Sequence, residues 1–293
     1  MTDKLLAIID KIADNIDKYP QDLAAASLAT ETLLVQLVQA LIDEMDYSGG
    51  VLTASQRNFD LINQVDTIVS GLFKQSPYLS SLTAYAQGMG KQTGLIAEYF
   101  GVLGKDVSNP TYQAVIKNIQ SNAIDKLTEN SINNAFGKPL KDLLNQSVTT
   151  GVTKKEVIVS IDNFIKGTPE LDGKLTKYVK QIASDAFAVV DRQASKYLAE
   201  QLGLEEWMLY AGGTVKDSRQ FCKERYGKFF HRLEVESWVN LTWQGKAPVN
   251  EGTIFSLLGG YNCQHIGMFV SIDIVPQDVI DRNIANGNYQ PKP

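Results

Sequence analysis

Apolar residues recur every three or four positions over the first two-thirds of the chain, which is the spacing of amphipathic helices. One stripe runs over residues 5–16, a second over residues 33–42 and a third over residues 59–72. Proline lacks the amide hydrogen that a helix interior needs, so four prolines predict helix breaks or first turns: Pro20, Pro77, Pro110 and Pro169. The pattern predicts a mainly helical N-terminal region.

A long helix is predicted to start near Thr168-Pro169-Glu170 and to stop at Gly203. Glycines at five positions between residues 88 and 104 would weaken a helix there, by about 1 kcal/mol each relative to alanine. The stretch Gly88–Gly94 contains a Gly-Lys step but lacks the spacing of a nucleotide-binding phosphate loop. We interpret these glycines as small residues at close helix crossings or as a flexible joint.

After Gly203 the pattern changes to short segments rich in β-forming residues. Three strands are predicted, and residues 233–243 have helical spacing; the strands are Trp207–Ala211, Gly227–His231 and Phe269–Ile274. Helix beside short strands indicates an α+β fold. The sequence therefore divides into an extended helical scaffold or docking region over 1–204, a small α+β domain over 205–275 and a C-terminal tail over 276–293.

The chain of 293 residues is 44% hydrophobic with a formal net charge of −5, so it can bury a core and lacks the composition of a disordered protein. Residues 206–293 are balanced in charge, and the acidic excess lies upstream. This balance argues against a free-standing nucleic-acid binder, which needs a cationic surface. We expect no membrane span, which needs about 20 uncharged apolar residues. Two cysteines cannot form a disulfide framework.

The cysteines and histidines of the chain all lie in its C-terminal part: Cys222, His231, Cys263 and His265. Thiolate and imidazole are ligands that zinc prefers. Cys263 and His265 are two positions apart, which on a strand would place both side chains on one face. The cluster predicts a structural zinc site that Cys222 and His231 close. The alternatives are side chains that simply pack in the core, or a Cys222–Cys263 disulfide.

A catalytic role for the same cluster is a further alternative. His231 and His265 could act as general acid and base of a nuclease or toxin-like enzyme. Three cationic side chains near Cys222 could bind phosphate: Arg219, Lys223 and Arg225. Cys222 and His265 could also form a thiol–imidazole pair. The sequence places no carboxylate to orient either histidine, so we expect a protein that is not an enzyme.

Four ordered stretches of this region resemble the phage Mu F-like head-morphogenesis domain: Gly213–Cys222 (GTVKDSRQFC), Tyr226–Phe229 (YGKF), Trp243–Pro248 (WQGKAP) and Gly259–His265 (GGYNCQH). That family shows Asp-x-Arg, a Cys or His shortly after, a Gly-Lys step and a late Asn-Cys-Arg-Cys or Asn-Cys-Arg-His. Here Gln264 stands where the family usually has arginine, while Cys263 and His265 match. The resemblance covers about residues 205–275.

The resemblance implies a phage minor head protein, a structural component of the virion that is made in the cytoplasm of a bacterial host. Such a protein associates with the portal protein and other capsid proteins, often through a helical N-terminal region, and acts in head assembly or DNA ejection. The basic side chains between Asp217 and Arg232 could contact packaged DNA or an acidic portal surface. A solvated charged face is the alternative.

Five residues of the matched stretches are expected to act in structure or partner contact: Asp217, Arg219, Gly227, Trp243 and Asn262. Asp217, at a turn, can accept backbone N–H bonds, and Arg219 can pair with it or with a partner carboxylate. Trp243 lies in a Gly- and Pro-containing stretch and is the tryptophan to test for a partner contact. Trp207, Trp238 and Trp243 are all expected in the core, given the large area that each can bury.

Overall fold

The first two apolar stripes belong to one helix, α1 (Asp3–Asp43), and Pro20 lies inside it. The predicted break at Pro20 is therefore wrong. Ile16 and Leu23, on either side of the proline, are fully buried. The apolar face thus continues through Pro20, and its burial outweighs the loss of one main-chain hydrogen bond. The computed structural model describes residues 3–108, 110–168, 170–213 and 218–291, apart from the side chains of Gln75 and Pro110.

The elements that follow α1 up to residue 202 are mostly helices, joined by two short hairpins. They are β1 (Tyr47–Ser48), β2 (Val51–Leu52), α2 (Gln56–Asn63), α3 (Val65–Gln75), α4 (Pro77–Val102), α5 (Pro110–Asp125), α6 (Glu129–Ile132), a π-helical turn (Asn133–Gly137), α7 (Lys138–Thr150), α8 (Lys154–Lys166), β3 (Gly167–Thr168), β4 (Leu171–Asp172) and α9 (Lys174–Leu202). The predicted helix end at Gly203 is confirmed, but α9 starts later than predicted. Pro169 itself lies outside the described residues.

The C-terminal part combines short helices with a small antiparallel sheet. Its elements are β5 (Trp207–Ala211), α10 (Gln220–Arg225), β6 (Phe229–His231), α11 (Arg232–Ser237), α12 (Ile254–Leu257), β7 (Ile266–Val270) and α13 (Gln277–Ala285). The strand order is β6-β5-β7, so β5 is central. The α+β class and the strand Trp207–Ala211 are as predicted. The second strand starts two residues later than predicted, and the third starts and ends earlier. The predicted tail contains α13, whose Asn283 is fully buried.

The described chain divides into two units, each made of separate chain segments. The first comprises Met1–Tyr19, Ala86–Ala123 and Ser184–Pro293, and the second comprises Pro20–Tyr85 and Ile124–Ala183. The predicted boundary at residue 204 is not a boundary between them. The reason is that α4 and α9 bond to the C-terminal part: the Tyr99 hydroxyl donates to the Phe269 carbonyl at 3.0 Å, and the Ser195 hydroxyl to the Gly267 carbonyl at 3.2 Å.

In the second unit, a buried carboxylate caps the start of α9. Residues 23–42 of α1 are apolar or uncharged except for Glu31, which is fully buried. Its Oε1 accepts from the Thr176 N–H at 2.7 Å, where the helix leaves backbone donors without helical partners. Burial raises the pKa of Glu31.

By length and composition alone, α1 could cross a membrane, since an 18-residue window has a mean hydropathy of 1.5. This apolar stretch is longer than we expected from the sequence. Half of that window is buried inside the protein, as in the core helix of a folded domain.

Four of the five glycines lie inside the continuous helix α4, whereas Gly104 follows the end of the helix with a φ of +75°. Gly88 lies against the ring of Tyr19, and a Cβ placed on it would be 2.6 Å from that ring. At Gly90 a Cβ would meet nothing within 4 Å. The prediction of a close helix crossing is therefore confirmed at Gly88.

Candidate metal centre

Cys222, Cys263 and His265 meet at one buried point of the first unit. Cys222 lies on α10, and the other two lie in the loop that precedes β7. Their donor atoms all lie within 4.8 Å of one another, and the residues are only 2–4% exposed. Cys263 Sγ and His265 Nδ1 are 3.7 Å apart. This group could hold a metal ion.

The Cys263–His265 pair is carried by a turn and not by the predicted strand, since β7 begins at Ile266. Asn262 opens this turn with a left-handed φ of +55°. Asparagine tolerates that conformation better than most residues. The Asn262 N–H donates to Asp185 Oδ1 on α9 at 2.5 Å, and the Gln264 side chain donates to Asp17 Oδ1 at 3.1 Å. Asn262 and Gln264 thus fix the loop between the candidate ligands.

Tyr210 is the residue of this cluster that sequence reasoning missed. It lies on the central strand β5 and is fully buried. Its hydroxyl donates to Cys222 Sγ at 3.3 Å and lies 3.8 Å from Cys263 Sγ. Burial raises the pKa of the phenol well above its usual value. The signal that could have found it is a tyrosine within a run of apolar strand residues, because a buried hydroxyl needs a polar partner.

Gly259 closes the cluster on another side. A Cβ at this position would lie 2.6 Å from Cys222 Sγ and 2.8 Å from Cys263 Sγ, so a residue without a side chain is required. The Gly259 carbonyl accepts from Trp243 Nε1 at 2.9 Å. The Trp243 ring stacks on Phe221 with centroids 3.9 Å apart. Through this hydrogen bond and this stacking, Trp243 holds the cluster in place.

Arg192 of α9, which no sequence motif marks, holds the main chain of the ligand loop. Its guanidinium donates to the carbonyl oxygens of Ser256, Cys263 and His265. It is 2% exposed. Local pattern cannot reveal this role, because the residues it binds follow more than 60 positions later in the chain.

The two thiols titrate as a pair. A hydrogen bond from Cys222 lowers the pKa of Cys263 well below its usual value, and the nearby Arg192 and His265 add to this effect. The same hydrogen bond and burial raise the pKa of Cys222. The pair therefore favours a thiolate at Cys263, and a thiolate is the form of cysteine that binds a metal.

The structure does not bring His231 into the cluster, so the predicted set of four ligands is corrected to three. His231 pairs with Trp207 across β6 and β5, with ring centroids 5.0 Å apart. Trp207 and Tyr210 are three positions apart on one strand, so their side chains point to opposite faces of the sheet. His231 Nδ1 instead accepts from the Leu233 N–H at 3.3 Å and caps α11. His231 and His265 thus lie on opposite sides of β5.

Of the remaining predicted residues, Arg219 donates to the Tyr261 carbonyl at 2.5 Å, beside Gly245. Asp217, its expected partner, lies outside the described residues. Gly227 ends the turn before β6 with φ +73°, and its N–H donates to the Tyr210 carbonyl at 2.9 Å. These contacts give both Arg219 and Gly227 a structural role within the C-terminal part.

Two of the basic side chains that follow Asp217 make contacts within the protein. The Arg225 guanidinium lies 3.8 Å from the Phe221 ring centroid and 4.7 Å from that of Trp238. Arg232 pairs with Glu236 at 2.7 Å. Trp207 and Trp238 are buried, as predicted.

A cleft of about 500 Å³ lies on the other face of the sheet from the cysteines. Leu209, Ala211 and Phe229 line it from the strands, and Leu6, Ile9, Asp10 and Asp14 line it from α1. Leu209 and Tyr210 are neighbours on β5, so their side chains point to opposite faces. Tyr226 also lines the cleft, and its ring lies 6.4 Å from that of His265.

The fold and the site together define an α+β protein with a buried cluster of two cysteines and one histidine that is suited to a metal ion. No protein-family model, curated protein or solved structure matches this chain.

Proposed function

We propose that this chain is a phage minor head protein, a structural component of the virion whose C-terminal part is held together by zinc. One observation carries the proposal: the stretches that resemble the phage Mu F-like domain bond to one another around the Cys/His cluster. Arg219 bonds Tyr261, Trp243 bonds Gly259, and Cys222 meets Cys263. Because these residues hold one another in position, they support a structural role.

Zinc is the metal that fits the donor set best. Two thiolates and one imidazole are soft and borderline ligands, which favour zinc over magnesium or calcium. Such an ion would be held by Cys222, Cys263 and His265, and it would supply folding free energy by joining α10 to the ligand loop. The near-complete burial of all three residues supports a closed structural site, because catalytic zinc keeps a position open to substrate.

The N-terminal helices support partner binding. Three leucines on α1, in the second unit, are 40–54% exposed: Leu28, Leu33 and Leu37. Leu33 and Leu37 are four positions apart and share one helix face, which suits docking against another helix, whereas Leu28 lies on the other side of α1. In the proposed function this face binds the portal protein or a neighbouring capsid protein inside the head, and contact with packaged DNA is secondary.

Particle composition tests the virion assignment. Particles purified from the bacterium that produces this chain should contain the chain in low copy. Treatment that empties the head of DNA should show whether the chain leaves the particle with the DNA. Recovery of the chain only from host cytosol would contradict the proposal.

Site-specific cross-linking tests the docking face. A photoreactive residue at Leu33 should capture a head protein in assembled particles. The same residue at Val159, a similarly exposed apolar position on α8, should not. Equal capture at both positions would argue against a specific α1 interface.

Metal analysis tests the zinc assignment separately. Protein purified without chelator under reducing conditions should carry about one zinc per chain, and the Cys263→Ser variant should carry much less. Metal-free protein of unchanged stability would contradict the zinc site and leave the virion assignment standing.

A further inference from the structure

The candidate zinc cluster has one ligand fewer than a closed structural site usually has. Structural zinc is almost always four-coordinate and tetrahedral. The chain contains two cysteines and two histidines, and His231 is committed to the other face of the sheet. Among the residues that the structure describes, no carboxylate oxygen joins the group of donors within 4.8 Å of one another. Within the described part of the chain, the fourth donor would therefore be of another kind.

The Tyr210 hydroxyl stands where this fourth donor is required. A tetrahedron with zinc–sulfur bonds of about 2.3 Å and zinc–oxygen or zinc–nitrogen bonds of about 2.0–2.1 Å has edges of about 3.3–3.8 Å. The hydroxyl lies 3.3 Å from Cys222 Sγ and 3.8 Å from Cys263 Sγ. Cys263 Sγ and His265 Nδ1 are 3.7 Å apart. These three distances fall in the range expected for the edges of such a tetrahedron.

We propose that Tyr210 Oη is the fourth ligand of this metal site, which then holds zinc with two thiolates, one imidazole and one phenolate. On binding, the hydrated ion exchanges its waters for four protein donors, and the phenol and thiol protons pass to solvent. A bound dication favours the phenolate, as it favours the thiolates. This inference rests on the zinc site of the proposed function and adds the residue that completes it.

The surroundings of Tyr210 favour a direct ligand over a distant hydrogen-bond partner. The residue is 0% exposed, on the central strand of the sheet. The main chain at Gly259 approaches the same three atoms, since a Cβ there would lie 2.6–3.3 Å from both sulfurs and from the hydroxyl. The backbone thus covers one side of the cluster, and Tyr210 closes it from the sheet.

The test compares Tyr210→Phe with Tyr226→Phe. Tyr226 is the matched control because its ring lies 6.4 Å from that of His265, while its side chain is exposed. Each protein is stripped of metal under reducing conditions, checked for folding by circular dichroism, and titrated with Zn²⁺ against a chromophoric chelator. Loss of the phenol oxygen should weaken zinc binding at least about 10-fold, and the control should match the unchanged protein.

A second measurement does not depend on the variant folding normally. Addition of Zn²⁺ to the unchanged metal-free protein should produce the near-ultraviolet difference absorption of a tyrosinate. The Tyr226→Phe protein should retain this band and the Tyr210→Phe protein should lose it. Co²⁺ in place of Zn²⁺ should give a tetrahedral absorption spectrum that changes only in Tyr210→Phe.

The outcomes separate this inference from the zinc proposal. Zinc binding of unchanged affinity by Tyr210→Phe, with no tyrosinate band in the parent, would overturn the fourth ligand and leave a three-ligand zinc site. Failure of the unchanged protein to bind Zn²⁺ or Co²⁺ would overturn both.

Discussion

Two hydrogen bonds join the Arg192 guanidinium to the carbonyl oxygen of His265, one from Nε at 2.9 Å and one from Nη2 at 2.6 Å. Nη1 donates to the Ser256 carbonyl at 3.1 Å, and Nη2 also donates to the Cys263 carbonyl. With Arg192 almost fully buried, no water can take over these bonds. The main chain of two candidate ligands is therefore held from α9.

We expect Arg192→Lys to destabilise the protein and to weaken its metal site. An ammonium group cannot reproduce the planar fork of a guanidinium, so buried carbonyls lose their donors. The free energy of unfolding should fall by about 2–4 kcal/mol, and zinc affinity by about 10-fold or more. Urea unfolding and chelator competition measure the two effects.

Arg57→Lys is the matched control for this substitution. Arg57 is exposed and lies 3.9 Å from the Asp46 carboxylate, a surface pair expected to contribute less than about 1 kcal/mol. Similar losses of stability in both variants would show that the Arg192 contacts contribute no more to stability than an exposed surface pair does.

We expect substitution of the two histidines to have different effects on metal binding. We expect His265→Ala to lose zinc, because it removes a candidate ligand. His231→Ala should keep zinc at full stoichiometry but lower stability by about 1–2 kcal/mol, because it removes the α11 cap and the packing on Trp207. Metal content and thermal unfolding of the two variants check this. Loss of zinc in His231→Ala would restore His231 as a ligand.

Alanine at two glycine positions of α4 should change the free energy of unfolding in opposite directions. Gly88→Ala forces a methyl group against the Tyr19 ring and should destabilise the protein by about 1–3 kcal/mol. Gly90→Ala meets no neighbouring atom and should stabilise it by up to about 1 kcal/mol, because alanine favours helix. Denaturant midpoints of the pair give the comparison, and equal shifts would contradict the close crossing.

A buried carboxylate in the first unit should make stability depend on pH. Asp191 is fully buried, Gln92 Nε2 donates to its Oδ1 at 2.8 Å, and its Oδ2 has no partner among the described residues. Burial raises the pKa of Asp191 from 3.8 to about 7, against smaller opposing effects of Gln92 and Arg192. Because the folded state holds its proton more tightly than the unfolded chain, folding is favoured at low pH and loses free energy as pH rises between these values.

The Asp191→Asn variant should remove this contribution. Each pH unit between about 4 and 7 should lower the stability of the unchanged protein by up to about 1.4 kcal/mol through this group, and the variant should lack that slope. Above about pH 7 the variant should be the more stable of the two. Urea unfolding at several pH values, with the exposed Asp10→Asn as control, measures the difference. An unchanged slope in Asp191→Asn would assign the pH dependence to other groups.

The sequence predicts those parts of the fold that depend on local pattern. The strand Trp207–Ala211 and the helix end at Gly203 follow from β-forming residues and from a glycine at a left-handed φ of +65°. Pro20 shows the limit of such rules, because burial of the residues around it holds α1 together. Tertiary pairing likewise places the third strand at Ile266–Val270, where it bonds to β5.

Residue chemistry alone predicts about half of the candidate site. Cysteine and histidine indicate metal binding by residue type, so the sequence by itself selects Cys222, Cys263 and His265. Tyr210 and Arg192 have no such signature, and their roles arise from contacts across 12 and 73 positions in the chain. Residue type also selects His231, but its pairing with Trp207 on the sheet places it on the other face.

The hydrogen bond between Gln264 and Asp17 has a consequence for how the protein is made. Residue 17 is synthesised 247 residues before Gln264, so the loop that binds it leaves the ribosome much later. Until then the thiol of Cys222 and the cation of Arg192 lack most of their final neighbours. A nascent or prematurely terminated chain would expose both groups, whereas the folded protein buries them.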